Sequence, residues 1–459
     1  MLDSIKTIVL LQFENRSFDH MLGHLSYDNT NPQVNGLKQD LSQYQNFYKG
    51  DAYTPFMFTV DTNLTDDLPH EYTDVATQLA WSGLRKQFQM TGFVEAYANK
   101  TGRSPNPQAD PMGFFGAEHV PITHFLAGAF CVCDQWHCPL PSSTQPNKTM
   151  ALCGESSIYY TKTQLISATN NLFDWMDKAG VRWRVYHDGL SFFILYNSLW
   201  GHVLGPHFRD YENLYKDFQQ EHDDTFPQVI VVEPSYQSGP HLGPDHPNCN
   251  HAPLAIGWGE DFLRRTYEAV TSNAARWGNT LMLVYSDEHG GFFDHVAPPA
   301  IGYTTEGADP HTFSSLGPRI PGLIISSFVK EGSICHQLLD HTSVLQLLAE
   351  KFTPGTPYSP TVEDRRKKGI GSISAALDMT LPTRAAPAPP QQPISVSSAL
   401  GDTIATPADT DPMRQSFETA AMNMLAAQPA PVGDKYPELL QWRDVVAKAR
   451  AKGGDGAGS

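Results

Sequence analysis

Short apolar runs alternate with amphipathic stretches along most of the chain. Six runs rich in Val, Ile and Leu have the length of strands. Their apolar character is nearly continuous, which indicates strands covered on both faces, as in a parallel sheet flanked by helices. The runs are TIVLLQF (7–13), FCVCDQW (130–136), VRWRVYH (181–187), QVIVVE (228–233), TLMLVYS (280–286) and RIPGLIISSF (319–328).

Stretches with a helical pattern lie between these runs. They cover Tyr72–Gln89, Asn170–Lys178, Trp258–Ala275 and His341–Lys351. Strands and helices that alternate in this way predict an α/β protein with three α/β/α layers and a mostly parallel central sheet.

The composition of the chain changes near residue 353. TPGTPYSP and RRKKG lead into LPTRAAPAPPQQP, which has the composition of a linker. Beyond it, Pro412–Ala427 and Tyr436–Ala451 have amphipathic helical patterns, and the chain ends in AKGGDGAGS. We therefore expect a main domain over residues 1–355. Residues 356–459 would form a Pro/Ala-rich linker and a helical appendage with a flexible end.

Charge and composition limit the classes of function. The 459 residues carry a formal net charge of -17, which argues against a nucleic-acid binder held by counterion release. No apolar stretch approaches the roughly 18 residues of a membrane span, and the N-terminus lacks a signal-peptide pattern. We expect a soluble protein, which is cytoplasmic, or secreted or periplasmic if a signal has been removed.

The six cysteines fit neither a CxxC zinc site nor a dense disulfide framework. We therefore expect buried thiols, with one or two disulfide bridges as the alternative.

Three of the apolar runs lead into acids, but Glu233 at the end of QVIVVE is followed by a proline, which also suits a purely structural role. Glu14 and Asn15 follow the first run, and Asp287 and Glu288 follow TLMLVYS. Ligands bind at the carboxyl ends of strands in open parallel sheets, so we expect these four side chains to meet there. Three carboxylates and an amide oxygen suit a hard divalent cation, and their excess charge is costly without one. The alternative is structural, with each acid capping a helix or pairing with a base such as Arg16.

The segment CPLPSSTQPNKTMALCG contains a candidate nucleophile. Ser142, Ser143 and Thr144 precede a helical pattern, and a helix N-terminus favours an anion such as a phosphoryl group. A metal lowers the pKa of a hydroxyl, which can then attack without a histidine base. An ordinary helix cap by one of the three hydroxyls is the alternative.

Histidines in loops offer electropositive groups. His70 lies in DDLPHEY, and His246 and His251 lie in GPDHPNCNHAP. Near a phosphate such residues donate hydrogen bonds to its oxygens or protonate a leaving oxygen, although a structural role is the alternative for each. His295 and His341 each follow an aspartate, which indicates a packing or positioning role.

Three strings together resemble a known family. ENRSFDHMLG, PSSTQPN and DEHGGFFDHV, in this order, closely resemble the signatures of the phosphoesterase family that contains bacterial and plant non-specific phospholipases C and related bacterial acid phosphatases. The resemblance runs from about Ile5 to Phe352. It implies an alkaline-phosphatase-like α/β/α fold, a metal-assisted hydroxyl nucleophile and a phospho-enzyme intermediate.

The resemblance also implies roles for single residues. Thr144 would be the nucleophile, with Ser143 as the second choice. A divalent metal ion would be bound by Glu14, Asn15, Thr144, Asp287 and Glu288. The oxygen-rich set suits Ca, Mg or Mn, and Zn is a further option. The implied catalytic residues are Thr144, His70, His246, His251 and Asn147.

The sequence departs from the family pattern at two points. The string HPNCNH spaces its two histidines more widely than the plant-type pattern, which puts His251 in doubt. Lys148 stands where the family usually has arginine. If this side chain faces the site, it keeps the positive charge but cannot bind phosphate through two parallel N–H groups as a guanidinium does.

The resemblance implies a phosphoric ester hydrolase. The first hypothesis is a phospholipase C that releases diacylglycerol and a phosphorylated headgroup through a phospho-threonine. The alternative is a broad-specificity acid phosphatase that acts on phosphomonoesters, and a third reading is a non-catalytic phospholipid- or phosphate-binding protein. The partner would be a phospholipid or small phosphoester, with transient contact with a membrane surface allowed and nucleic acid excluded. The sequence leaves the oligomeric state open.

Overall fold

An eight-stranded sheet forms the centre of the computed structural model. The structure describes residues 2–59, 64, 66–106, 108–238, 246–391, 411–440 and 442–443. The strands are β1 (Thr7–Phe13), β2 (Cys131–Cys133), β3 (Trp183–His187), β4 (Phe208–Asp210), β5 (Val229–Glu233), β6 (Thr280–Ser286), β7 (Gly322–Ser326) and β8 (Ser333–Cys335).

The sheet is mostly parallel, as the sequence predicts. Its strand order is β4-β3-β5-β1-β6-β7-β2-β8. Only β7 runs against its two neighbours, β6 and β2, and every other neighbouring pair in this sheet is parallel. Strands β1 and β6 are central, and their continuous apolar runs are buried on both faces.

Helices and short strand pairs surround this sheet. The α-helices are α1 (Phe18–Leu22), α2 (His24–Tyr27), α3 (Tyr72–Leu79), α4 (Phe93–Thr101), α5 (Pro121–Ala129), α6 (Thr144–Cys153), α7 (Leu172–Lys178), α8 (Trp200–Val203), α9 (Asn213–Gln220), α10 (Ile256–Thr271), α11 (Ala274–Trp277), α12 (Thr342–Phe352), α13 (Pro360–Lys367), α14 (Pro412–Ala427) and α15 (Pro429–Lys435). Single 3-10 turns occur at Leu41–Tyr44, Asp110–Met112, Phe192–Leu195, Asn197–Leu199 and Ile373–Ala376. The short strand pairs are Asn46–Tyr48 with Asp51–Tyr53, Phe56–Met57 with Gly113–Phe114, Trp81–Ser82 with Gln87–Phe88, and Tyr303–Thr304 with Thr312–Phe313.

Helices cover both faces of the sheet. Successive side chains of a strand point to opposite faces, so Phe13 and Leu10 of β1 lie on different sides. Phe13 contacts Phe262 of α10, with ring centroids 6.2 Å apart. Leu10 lines a small cavity together with Lys148 of α6 and Val344 of α12. The α/β fold with helical layers on both sides of the sheet is therefore confirmed.

One predicted helix, Tyr72–Gln89, is wrong in its second half. Helix α3 ends at Leu79, because Ala80 has a left-handed backbone with φ 48°. The chain then forms a hairpin in which the rings of Trp81 and Phe88 contact each other at 4.9 Å. The stretch between these rings offers only one apolar side chain, so a longer helix would have little to bury.

The other predicted helices agree with the structure more closely. Helices α7 and α12 begin and end within two residues of their predicted bounds. The predicted helix Trp258–Ala275 is divided, because α10 ends at Thr271 and Asn273 caps a separate helix, α11. The edge strands β4 and β8 were not predicted, since three residues are too short to show a period.

The C-terminal segment contains one of the two predicted helices in full. Helix α14 has the predicted bounds, and its Phe417 packs against Phe192 and Tyr236, with centroids 5.9 Å away in each case. Residues 441 and 444–451 of the second predicted stretch lie outside the described residues. The division of the chain at residue 355 stays a prediction.

Two expectations about the whole chain can be compared with the structure. All six cysteines are buried free thiols, as expected. Within the described ranges, none of the helices combines the length and apolar character that a membrane crossing requires.

A buried ionic network joins the first and third signature strings. Arg319 is fully buried and donates to Asp294 at 2.9 and 3.1 Å and to Asp19 at 3.0 Å. His295 Nδ1 lies 2.7 Å from the other Asp19 oxygen. The guanidinium also donates to the backbone carbonyl oxygens of Asn35 and Asp134. This network fixes the turn after β1 against the turn after β6.

We expect Arg319→Met to lower the free energy of unfolding by about 3–5 kcal/mol, because it leaves two buried carboxylates without their cation. Urea unfolding measures this loss. The matched control is Arg366→Met, since Arg366 is exposed and pairs with Glu363 at the surface. Equal urea midpoints for the two variants would contradict this role of Arg319.

Candidate active site

The carboxyl ends of β1 and β6 lie side by side. The two strands pair in register along their whole length, and their last residues, Phe13 and Ser286, lie opposite each other. The next residues of each strand are therefore brought together, as predicted, and all are buried. They are Glu14, Asn15, Asp287 and Glu288.

Asn15 occupies the centre of this group. Its backbone has φ 57°, and its N–H donates to Asp287 Oδ1 at 3.0 Å. Its side-chain oxygen accepts a hydrogen bond from Thr144 Oγ1 at 3.2 Å, and its Nδ2 lies 3.4 Å from His70 Nε2. One asparagine thus links both strand ends with the predicted nucleophile and a predicted histidine.

Two carboxylate oxygens at this edge have no hydrogen-bond partner in the described part of the chain. They are Asp287 Oδ2 and Glu288 Oε1, and both are buried. Burial raises the pKa of Glu288 well above its ordinary value; His70 opposes this shift and Asp287 adds to it. Because buried charges without partners are costly, this donor set fits a divalent cation.

Glu14 has a partner within the chain. Lys148 Nζ lies 3.8 Å from Glu14 Oε1 and between the rings of Phe192 and Tyr236, 5.0 and 4.9 Å from their centroids. Burial raises the pKa of Glu14, and Lys148 opposes this shift. The Lys148 side chain therefore contacts an acid and two aromatic rings. Lys148 thus offsets the charge of Glu14, and the oxygens of Asp287 and Glu288 that lack a partner in the described residues stay available to a cation.

The predicted nucleophile Thr144 is the first residue of α6. Ser143 is the N-cap residue of this helix, but its side chain does not cap it. Instead, Ser143 Oγ donates to Glu71 Oε2 and accepts a hydrogen bond from Thr161 Oγ1, both at 3.0 Å. The hydroxyl of Thr144, rather than that of Ser143, contacts Asn15.

Asn147 holds the loop that leads into α6. Its Oδ1 accepts a hydrogen bond from the N–H of Leu140 at 2.9 Å. Its Nδ2 donates to the carbonyl oxygens of Leu140, Ser142 and Ser143 at 2.8–3.1 Å. These bonds position the hydroxyl segment, and direct participation of Asn147 in catalysis stays a prediction.

His70 and His251 share an acid that sequence analysis missed, Asp67. Their rings are 5.8 Å apart, and Asp67 Oδ1 lies 3.6 Å from His70 Nδ1 and 3.7 Å from His251 Nε2. Burial by itself lowers the pKa of His70, but Glu288 and Asp67 outweigh it and raise this pKa. Asp67 precedes His70 by three residues in DDLPHEY, so the string itself contained the signal.

Asp67, His70 and His251 form a tighter group than the predicted metal ligands. One ligand atom from each of these three residues lies within 4.8 Å of the other two ligand atoms. The carboxylate oxygens of Glu14, Asp287 and Glu288 are not all this close to one another. Asp67, however, also pairs with Lys100 at 3.1 Å, so its charge has partners inside the protein. Binding of a cation would therefore stabilise Asp287 and Glu288, whose unpartnered oxygens are buried, more than it would stabilise Asp67. Two further such groups are Asp19 with Asp294 and His295, and Asp174 with Asp177 and His202.

His246 is not brought into this cluster. Its ring stacks on Trp258 of α10 with centroids 4.3 Å apart, and none of its contacts in the described ranges reaches the other predicted residues. Its catalytic role stays a prediction. His341, in contrast, takes the positioning role expected from its sequence context, because its Nε2 donates to the carbonyl oxygen of Asp287 at 2.6 Å.

A family model, described as the Phosphoesterase family, matches residues 5–353. The chain belongs to the Phosphoesterase family. This membership confirms the class expected from the sequence, hydrolases of phosphoric esters.

Several known proteins are similar to the chain at low identity. Non-specific phospholipase C3 of Arabidopsis thaliana is 27% identical over 82% of this chain and 74% of its own length. A non-hemolytic phospholipase C of Burkholderia pseudomallei is 27% identical over 82% of this chain, but over only 59% of its own length. A solved structure of a protein in the alkaline phosphatase superfamily from Vibrio parahaemolyticus matches 70% of this chain and 83% of its own, at 12% identity and a TM-score of 0.37.

Two glycines allow the turn after β6 to approach Asn15 and the loop that carries His70. Gly290 has φ 63°, and a Cβ there would lie 2.1 Å from the carbonyl oxygen of Asn15. Gly291 has φ 77°, and a Cβ there would lie 2.5 Å from the carbonyl oxygen of Pro69, next to His70. In both cases the added Cβ would clash with a backbone oxygen, and relieving the clash would displace Asn15 or the residues next to His70.

We expect Gly290→Ala to lower the free energy of unfolding by about 2 kcal/mol or more and to weaken binding of divalent cations, because Asn15 must shift. Urea unfolding and calorimetric cation titration measure the two effects. The control is Gly128→Ala in α5, where a Cβ meets nothing within 4 Å and alanine favours the helix. If both variants match the wild type, the close approach at Gly290 is not required.

Proposed function

We propose that the protein is a phospholipase C-type phosphodiesterase that acts through a phospho-threonine at Thr144. The observation that carries this proposal is the hydrogen bond from Thr144 Oγ1 to Asn15, at the start of α6 and beside two buried carboxylates with unpartnered oxygens. A reactive hydroxyl, a cation site and a helix N-terminus then converge on one point.

The first step transfers the phosphoryl group to the protein. Thr144 Oγ attacks the phosphorus, a P–O bond to threonine forms, and the P–O bond to the glycerol oxygen of diacylglycerol breaks. A divalent cation held by Glu14, Asn15, Thr144, Asp287 and Glu288 would lower the pKa of the threonine hydroxyl and stabilise charge on the phosphoryl oxygens. Because the Ser143 side chain does not cap α6, the first amide groups of this helix can also receive a phosphoryl oxygen.

His70 and His251 suit the leaving-group side of the reaction. In its protonated form, His70 can donate to a phosphoryl oxygen or protonate the departing alkoxide. The Nδ1 atoms of His70 and His251 donate to the backbone carbonyl oxygens of Leu68 and Ala252 at 2.7 and 2.6 Å, which holds both rings in place. In the second step water replaces the threonine oxygen on phosphorus, which releases the phosphorylated headgroup and restores Thr144.

The relatives named phospholipases C, from a plant and a bacterium, support a phospholipid substrate over a simple monoester. The same nucleophile and cation site would cleave either kind of substrate, because phospholipase C and acid phosphatase differ in the group that leaves the phosphorus. The ratio of the two activities therefore distinguishes the two functions.

We expect Thr144→Ala to lower headgroup release from phosphatidylcholine by at least about 1,000-fold, as removal of a nucleophile does in other hydrolases. Ser143→Ala should stay within about tenfold of the wild type, because its hydroxyl contacts Glu71 rather than Asn15. Each protein is assayed on phosphatidylcholine and on p-nitrophenyl phosphate, after chelation and after single metals are added back.

Two results would contradict the proposal. An active Thr144→Ala with an inactive Ser143→Ala would move the nucleophile to Ser143. Rapid hydrolysis of p-nitrophenyl phosphate with no release from any phospholipid would identify an acid phosphatase.

A further inference from the structure

Two neighbouring hairpins carry large exposed apolar side chains. In the described ranges, four large apolar residues are exposed to 49% or more: Phe47, Trp81, Leu84 and Tyr215. The first three belong to two neighbouring hairpins. Leu84 is 95% exposed at the tip of one of them, so its burial contributes almost nothing to folding. Single exposed apolar residues are common, but an exposed tryptophan and an almost fully exposed leucine on one short hairpin need an explanation.

The two hairpins are firmly held next to each other. The Trp81–Phe88 hairpin closes on α3, because the N–H groups of Gln89 and Met90 both donate to the carbonyl oxygen of Leu79. The hairpin that carries Phe47 is fixed to it by Asn46, whose Nδ2 donates to the Met90 carbonyl oxygen at 3.1 Å. We call the exposed side chains of the Trp81–Phe88 hairpin, Trp81, Leu84, Arg85 and Lys86, the hairpin surface.

The charge of the hairpin surface is opposite to that of the protein. The chain carries a net charge of -17, yet residues 81–90 contain Arg85 and Lys86 and no acid. Both basic residues are exposed directly beside Leu84. An aromatic ring, an aliphatic tip and adjacent cations match the interface of an anionic bilayer, where rings lie at headgroup depth and basic residues contact phosphates.

The hairpin surface is also connected to the candidate active site. Helix α3 begins two residues after His70, and the hairpin follows its last turn. Near that end, Gln78 Oε1 lies 2.7 Å from Nε2 of His289, the residue after Glu288. A membrane bound at the hairpin surface would therefore lie at the end of a two-turn helix that borders the site.

We propose that the hairpin surface docks the protein on an anionic phospholipid membrane, with Leu84 and Trp81 in the interface and Arg85 and Lys86 on lipid phosphates. The proposal rests on the proposed function in one respect, since it gives a phospholipid-cleaving enzyme access to substrate in a bilayer. A phosphatase for soluble monoesters has no use for such a surface.

A single labelled site tests the contact directly. Since all six native cysteines are buried, Leu84→Cys in the full chain can be labelled selectively with an environment-sensitive fluorophore. Its emission should shift to the blue on addition of vesicles of phosphatidylcholine and phosphatidylglycerol in equal parts. The matched control is Tyr215→Cys, exposed elsewhere on the protein, which should show no shift. Equal shifts, or none at either position, would overturn the proposal.

Vesicle flotation measures how much the apolar and the basic side chains contribute to membrane binding. Leu84→Ser should weaken binding at least about tenfold. Arg85→Glu with Lys86→Glu should weaken it about tenfold or more on the anionic vesicles, and much less on phosphatidylcholine alone. Tyr215→Ser should bind as the wild type does. Variants that float like the wild type would overturn the proposal, as would a Leu84→Cys label that shifts with protein concentration alone, since the surface would then bind a second copy of the chain.

The activity of the same variants separates this proposal from the proposed function. Hydrolysis of p-nitrophenyl phosphate should be unchanged in Leu84→Ser, while headgroup release from vesicles falls with binding. A protein that docks through the hairpin surface and cleaves no phospholipid would refute the proposed function and leave the docking surface standing. Loss of p-nitrophenyl phosphate hydrolysis in Leu84→Ser would overturn the docking role, because the hairpin would then be supporting the active site.

Discussion

The carboxylates of Asp287 and Glu288 are buried beside Glu14, and the described chain supplies Lys148 as an ammonium partner for Glu14 alone. This uncompensated charge is the constraint on which the rest of the site depends. It arises directly from the sheet, because β1 and β6 end opposite each other and both continue into acids. We propose that a divalent cation balances this charge, and the same cation would activate the neighbouring hydroxyl of Thr144.

The surroundings of this charge keep it in place. Arg319 joins the segments that follow the two strands, and His341 holds the backbone of Asp287. Gly290 lets the turn after β6 pass against Asn15. These groups neither touch substrate in the proposed reaction nor carry the cation, yet each restricts the positions of the acids. The separation of roles explains why long signature strings, rather than single residues, mark the site.

The sequence predicted most of the sheet and the meeting of the two strand ends, because continuous apolar runs and terminal acids are local features. The end of α3 at Leu79 depends on the backbone of Ala80, which no periodicity reveals. The orientation of Lys148 towards Glu14 could not be predicted, since it requires the position of α6 relative to β1. Asp67 could have been found from its spacing to His70, whereas its contact with His251 joins segments far apart in the chain.

The most direct test of the account is the metal content of the full-length protein, purified without chelator and measured by elemental mass spectrometry, with calorimetric titration after chelation. The account predicts one divalent cation per chain, and loss of that cation in a variant carrying Asp287→Asn and Glu288→Gln. Thermal stability of the wild type should fall on chelation and return on titration. A protein that is free of metal, and whose stability and phosphoesterase activity are unaffected by chelation, would contradict the account.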